Sequence, residues 1–569
     1  MAEKQVVLQQ QDIEHVQEET LVEETLALNR FIFLHNFKTT FLSIDDHHKK
    51  NCKIKVWSSK SSEICNHLKK MVEINALQPL IIIEKALNSK SLYSPNEALW
   101  CLAYCLCEFK NEVLRREIRK NFSEIITTSE QLLIFLYSYQ LLRDCKLNFG
   151  RGMRTALAKW YAKKSTSELF DLIFSARKYE TITHKKILHM IHLKLEDREK
   201  NKIIHSMYKK EDEKLETETS LDKMILRHRQ IKHSLDVKKI IDILQAKEFT
   251  YKLHHIPTFA QKSHEVIDLI IPNMSLDEVI EKLIFFCSQK MLKVQNPISK
   301  KICNALQASS KEINEAKLHP LYVFNIIKEL EKRLTIYQQE TPNDAVIEDE
   351  KSKTKKFSNP YIIKKMQHIF NITLGEQPKT GCRYFVTVDF RQFSKRQSHV
   401  FGMRNILCSE LQAIIALTLL KNEKEVTIMS FSEIDSKLKA VEWEKETSFE
   451  KALEIYETEI NKQPKTKEVI TLPIKKAIED KKKIDVFVTF VSSLGRTMGK
   501  NGKSDFIYSE LQNYRKTMNL KMTKYVIINM TQKEPTIQHT DKSKGLFEVI
   551  GFSLQAAKTL DSYARNSFA

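Results

Sequence analysis

Glycine is scarce in this chain, with 10 residues in 569. Phosphate-cradling loops depend on glycine for positive φ and for close backbone approach, and no GxxxxGKS/T, GxGxxG or GxSxG motif occurs. Nucleotide hydrolysis, dinucleotide redox chemistry and α/β-hydrolase chemistry are therefore not expected. No other catalytic constellation takes their place, so the chain reads as a non-enzyme that needs no cofactor. No apolar run reaches the roughly eighteen residues that a membrane span requires. The opening MAEKQVVLQQQDIEHVQEET is polar and acidic, without the apolar core of a secretory signal. A cytoplasmic protein is expected, with the nucleus as a second compartment. The ten cysteines form no CxxC pair, and the one cluster, Cys101, Cys105 and Cys107, sits in an apolar helical run. Zinc knuckles need ligands converging from two elements, so buried reduced thiols are the better reading.

What the chain has in excess is positive charge. The net charge is +20, which attracts polyanions through counterion release. RNA, DNA and acidic membrane surfaces all fit that charge, and scattered surface lysine accounts for much of it.

At 569 residues the chain exceeds one core, and its pattern changes along its length. Residues 1–25 read as poorly ordered. From 26 to 339 the segments are helical, for example EALWCLAYCLCEFKNEVLRREI and LDEVIEKLIFFCSQKML, with apolar residues at three- and four-residue spacing. Many short helices in series predict stacked antiparallel pairs of HEAT-like type. Residues 340–358, ETPNDAVIEDEKSKTKKFS beginning at Glu340, are polar and read as a charged linker or loop. Over 359–569, short β-rich runs (YFVTV, VTIMSF, DVFVTF, YVIINM, FEVIGF) alternate with helical segments. Such alternation predicts a mostly parallel sheet covered on both faces, with ligand loops after Asp389, Phe431, Val491 and Thr531.

Three stretches carry a resemblance. Gly150-Arg151-Gly152-Met153-Arg154 leads into Ala156, Trp160 and Tyr161; Thr183-His184-Lys185-Lys186-Ile187-Leu188 is followed by His192-Leu193-Lys194; and Leu318-His319-Pro320-Leu321 forms a turn. In this order they resemble the sixty-kilodalton Ro ribonucleoproteins with their TROVE module, from about Arg30 to the chain's end. The resemblance implies a ring of HEAT-like helical repeats followed by a von Willebrand factor A-like α/β domain. It implies binding of small non-coding, Y-like RNAs on the outer helical surface and of single-stranded ends of misfolded RNAs in the central hole, in RNA surveillance. A monomer with no membrane partner is expected.

Within that resemblance, Arg177, Lys178, His184, Lys185 and Lys186 are expected to face an RNA backbone, where cations neutralise phosphates without reading sequence. The competing reading is a solvated helix face. Arg151 and Arg154 lie three apart on one helix face, open either to single-stranded RNA or to solvent. Trp160 and Tyr161 are expected in the core rather than stacked on bases. His319-Pro320 and His255-Ile256-Pro257 read as structural turns.

The resemblance also implies a metal site of the DxSxS kind, in which oxygen ligands hold Mg²⁺. Here the carboxylate position is Asp389, but the hydroxyl positions are Arg391 and Phe393, with Ser394 one residue late. Thr447 remains a candidate on the second loop, and Val491-Ser492-Ser493 replaces the third loop's Asp. Glu433 has no positional support as a substitute. The expectation is a degenerate site at Asp389, Arg391, Phe393, Thr447 and Ser492 that holds no metal. An alternative function follows from the same departures: a protein-interaction scaffold that kept the fold, with protein partners at the C-terminal domain, and lost RNA recognition.

Overall fold

A computed structural model describes residues 2–43, 62–89, 91–143, 148–175, 178–208, 219–339, 359–390, 398–431, 437–460, 470–491, 505–535, 537 and 545–568. The expected linker 340–358 lies outside the described residues. The chain divides into two compact units, one of Met1–Phe37, Cys52–Asn273 and Phe568, the other of Lys38–Asn51, Met274–Ser567 and Ala569.

The first unit is helical. Its helices are joined by short polar breaks that act as N-caps: Thr128 with Gln131, Ser165 with Glu168 and Thr219 with Asp222 each form a reciprocal capping box. With so little glycine, several helix ends turn through a left-handed residue that is not glycine, such as His192 (φ 50°) and Lys247 (φ 51°). The expected poorly ordered N-terminus is instead part of one helix, Ala2–Leu34. Its second half explains the difference: Leu28, Phe31, Ile32 and Leu34 are buried, and buried Glu24 takes Lys70 at 3.3 Å and a contact from His67. Apolar burial overrides the polar composition of the first turns.

The second unit is built on a seven-stranded sheet. Its strands are β1 (Thr40–Leu42), β2 (Tyr384–Val388), β5 (Val426–Phe431), β6 (Leu438–Ala440), β7 (Val486–Val491), β8 (Lys524–Asn529) and β9 (Leu546–Ile550), with β3 (His399–Val400) and β4 (Met403–Leu407) as a separate hairpin. The order is β1-β9-β8-β7-β2-β5-β6, parallel throughout except for β6. The five β-rich runs read from the sequence are all strands. Every residue of β2, β7, β8 and β9 is buried, which is why they read as unbroken apolar runs rather than as alternation. β1 was not expected, because three residues carry no period of their own. It is held by parallel pairing of Thr40–Leu42 with Glu548–Ile550.

The division also falls earlier than composition suggested. Helices from Leu276 onward belong with the sheet. Lys328 donates to Glu410 at 2.8 Å, Asn422 donates to the Leu374 carbonyl at 2.7 Å, and Phe449 packs on Phe324 and Phe370 at 5.1 Å each. The Pro320–Gln339 and Pro360–Gly375 helices use their apolar faces to cover the Cys408–Asn422 helix, so they extend the sheet domain's core.

Candidate nucleic-acid interface and the A-domain crevice

In the helical unit the expected RNA residues fall into two groups. The first stands at the start of the Arg151–Ala162 helix, whose N-cap Gly150 offers no side-chain cap. Arg151 and Arg154 are exposed there, and Arg154 is anchored by Nε donating to the Phe149 carbonyl at 3.0 Å. A cation that sequence reading missed joins them. Arg119 lies against Gly152, where a Cβ would meet its Cδ at 2.9 Å. The absence of a side chain at Gly152 is what admits the guanidinium.

The second group surrounds the His184–Ile191 helix. Thr183 caps it, its hydroxyl accepting from the Lys186 amide at 3.2 Å. Lys178 and Lys185 are exposed and Lys186 is half-buried, while Arg177 lies outside the described residues. Lys232, in the last turn of the Ser220–His233 helix, belongs with them. Surrounding protein, and then the charge of Lys185, hold its ammonium below the usual lysine value. Two cations brought together from separate helices suit a phosphate. Lys232 lies far from Lys185 in sequence, and only the packing brings them together. The Arg151 and His184 groups stay apart: ten residues of helix between Arg151 and Tyr161 span roughly 15 Å.

His184 departs from the expectation. It is 4% exposed, with Nε2 bonded to the Ser129 hydroxyl at 2.7 Å and Nδ1 to the Tyr161 hydroxyl at 2.8 Å. A ring engaged at both nitrogens inside the core fixes the helix start; it does not reach a phosphate. Trp160 and Tyr161 are buried as expected, Trp160 donating from Nε1 to the Ile126 carbonyl at 2.6 Å. Burial also pushes the Cys105 and Cys107 thiols up to about 12, so these are inert core thiols.

In the sheet unit the strand order reverses between β2 and β7, and folds of this kind bind ligands at the carboxyl ends of the strands at that point. Asp389 follows β2 there and is fully buried. Its backbone is pinned: the amide donates to Gln412 Oε1 at 2.6 Å and the carbonyl accepts from Tyr456 Oη at 3.3 Å. Thr447 is buried, and its hydroxyl accepts from the Glu444 amide at 2.8 Å, which closes its own turn. Arg391, Phe393, Ser394, Glu433 and Ser492 lie outside the described residues. The turn of the β3–β4 hairpin is tied to the residues that follow β8 and β9. Phe401 donates its amide to the Met530 carbonyl at 2.8 Å and accepts from the Phe552 amide at 2.7 Å.

A family model described as the Ro60 vWA domain matches residues 383–564. The whole fold matches the crystal structure of the Ro (RSR) protein of Deinococcus radiodurans with a TM-score of 0.72. That match has 17% identity and covers 96% of this chain and 100% of that one. Residues 383–564 are thus similar to a Ro60-type A domain, and the chain as a whole has the fold of a Ro protein. The helical body followed by an A domain, anticipated from the three motif stretches, is the architecture it has.

The Ro A domain's donor set does not fit Mg²⁺ in this chain. Octahedral Mg²⁺ needs hard oxygen ligands. The sequence supplies an Arg and a Phe where the two hydroxyls would stand and Ser492 in place of the third loop's Asp, which leaves Asp389 as the one carboxylate at a matching position.

Proposed function

We propose that this protein is a Ro-type RNA-binding protein that engages small structured non-coding RNAs and the single-stranded ends of misfolded RNAs. On this reading it is not an enzyme and acts in RNA stability or surveillance, in the cytoplasm and also the nucleus. The observation that carries the reading is the approach of Lys232 to Lys185 from a separate helix, with Lys178 exposed just before the His184–Ile191 helix. Arg119, Arg151 and Arg154 supply a second backbone-binding group at a helix N-terminus, where the helix dipole adds to the attraction for phosphate. Cations in these positions hold an RNA backbone without reading bases, so affinity should fall steeply with salt. The A domain contributes without Mg²⁺ in its crevice.

The test is a binding titration of the full chain with a structured small RNA bearing a single-stranded tail, repeated across salt concentrations. A linear loss of log affinity with log salt is expected. Absence of binding at low salt overturns the reading and leaves the protein-scaffold alternative. In that case the purified chain would also carry no nucleic acid, read from its absorbance at 260 against 280 nm.

A further inference from the structure

The helical unit holds a cluster that the RNA reading does not use and that the sequence presented only as a structural turn. The 3-10 turn Leu253–His255 places His254 and His255 against Asp171 of the Thr166–Phe174 helix and His228 of the Ser220–His233 helix. His255 Nε2 stands 3.2 Å from Asp171 Oδ1. The His255 ring centroid is 4.4 Å from that of His254 and 4.8 Å from that of His228. One ligand atom each from Asp171, His254 and His255 lies within 4.8 Å of the others, the sole such group of His, Cys or acidic residues among the described residues.

We propose that Asp171, His254 and His255 form a binding site for one divalent transition-metal ion, with the His228 ring beside them as a further imidazole donor and zinc the best chemical fit. Imidazole nitrogens and one carboxylate are its preferred N/O donors. With bonds of about 2.0–2.1 Å, a tetrahedral ion separates its ligand atoms by roughly 3.3 Å. The Asp171–His255 pair already has that spacing, and the ligand atom of His254 lies within 4.8 Å of both.

His228 supplies the strongest chemical sign. Its Nδ1 donates to the Met224 carbonyl at 2.9 Å, so Nε2 carries the lone pair. That Nε2 is buried and without a hydrogen-bond partner, as is the Tyr251 hydroxyl beside it, in a residue only 3% exposed. A ring whose far N–H is fixed by a backbone carbonyl is the usual arrangement of a metal-ligating histidine.

Two groups oppose the ion and set its affinity. The Lys252 ammonium contacts Asp171 Oδ2 and has to be displaced. His255 Nδ1 accepts from the Lys252 amide at 3.2 Å, so ligation through Nε2 moves the ring proton to Nδ1 and gives up that contact. The ion would clip the Leu253–His255 turn to two helices and stabilise this unit by binding its folded state alone.

The experiment is a zinc titration of the metal-free full chain against a chromophoric chelator, with the melting temperature as a second readout. One equivalent should bind and raise the melting temperature. Co²⁺ in its place should give the visible absorption of a four-coordinate site. Asp171→Asn and His254→Gln should each weaken binding by about tenfold or more. Lys252→Gln should tighten it several-fold by removing the competing cation, which a folding defect or adventitious surface binding would not do. No saturable 1:1 binding, or wild-type affinity in a folded Asp171→Asn/His254→Gln double variant, overturns the proposal. Because the site shares none of the RNA-reading residues, either outcome leaves the RNA titration independent.

Discussion

The two units treat polar groups in opposite ways. In the helical unit the candidate functional cations Arg151, Lys178 and Lys185 stand exposed on a scaffold whose buried polar groups, His184 among them, serve to lock helices together. In the sheet unit the notable polar groups are inside. Asp389, Thr489, Asn529 and Glu548 are fully buried around parallel strands, and buried Lys524 donates to the Ala564 carbonyl at 2.9 Å to cap the last helix. The contrast shows where each unit's chemistry can reside. A helical surface can present charge to a polyanion at little cost, whereas a buried sheet can hold charge only by pairing or bonding it.

The largest expected effect is confined to the sheet unit. Gly551 has φ 65°, and a Cβ there would lie 2.4 Å from the Phe401 carbonyl oxygen that receives the Phe552 amide. Gly551→Ala should destabilise this unit by about 3 kcal/mol, combining left-handed strain with a backbone clash. Denaturant unfolding read by hydrogen exchange should show the loss in the sheet peptides and not in Asp171–Asn273. Equal loss in both units would mean that they unfold as one.

Acid should act in the reverse direction. His228 and His255 have folded pKa values lowered to about 4 and about 3, below their unfolded value, so the unfolded state binds more protons. Stability of the helical unit should therefore fall as pH drops from about 6.5 toward 4, by roughly 2 kcal/mol at pH 5 from His228 alone. In the sheet unit, Asp485 is held below its ordinary value by the Arg383 guanidinium at 2.7 Å, despite its partial burial. Its contribution is kept above the usual carboxylate range and lost only at lower pH. Hydrogen exchange at pH 5 against pH 7 separates the two, and equal protection of the helical unit at both pH values would refute the histidine account.

The smaller effects sharpen the surface side of the contrast. Lys185→Gln/Lys232→Gln should reduce RNA affinity by about tenfold at moderate salt and lower the salt slope by about 2, with the melting temperature nearly unchanged. An unchanged slope would show that neither ammonium meets a phosphate. Lys481, exposed at φ 51°, ends the Leu472–Glu479 helix where glycine is the usual choice. Lys481→Gly should stabilise the sheet unit by about 1 kcal/mol, seen as a higher denaturation midpoint.

The strands were legible because a parallel strand buried on both faces must be apolar at nearly every position, and Tyr384–Val388 and Val486–Val491 carry that demand openly. The helices were legible from period and caps. β1 was not, since three residues at a sheet edge are specified by their partner strand. The candidate RNA surface was half legible. Motif resemblance pointed to Lys178, Lys185 and Lys186 but also to His184, whose chemistry fits a phosphate as well as it fits a buried bond between Ser129 and Tyr161.

By itself, then, the sequence determined a glycine-poor, strongly basic chain of helices followed by an α/β domain, with Arg391 and Phe393 where the resemblance implies hydroxyl ligands. These follow from local pattern and from side-chain chemistry at single positions. Tertiary structure alone decided that the helices from Leu276 onward belong to the sheet unit and that His184 faces inward. It also brought Lys232 to Lys185, and His228, His254 and His255 to Asp171. Each of these is a meeting of residues distant in the chain, fixed by which apolar faces bury together, and no local spacing encodes it.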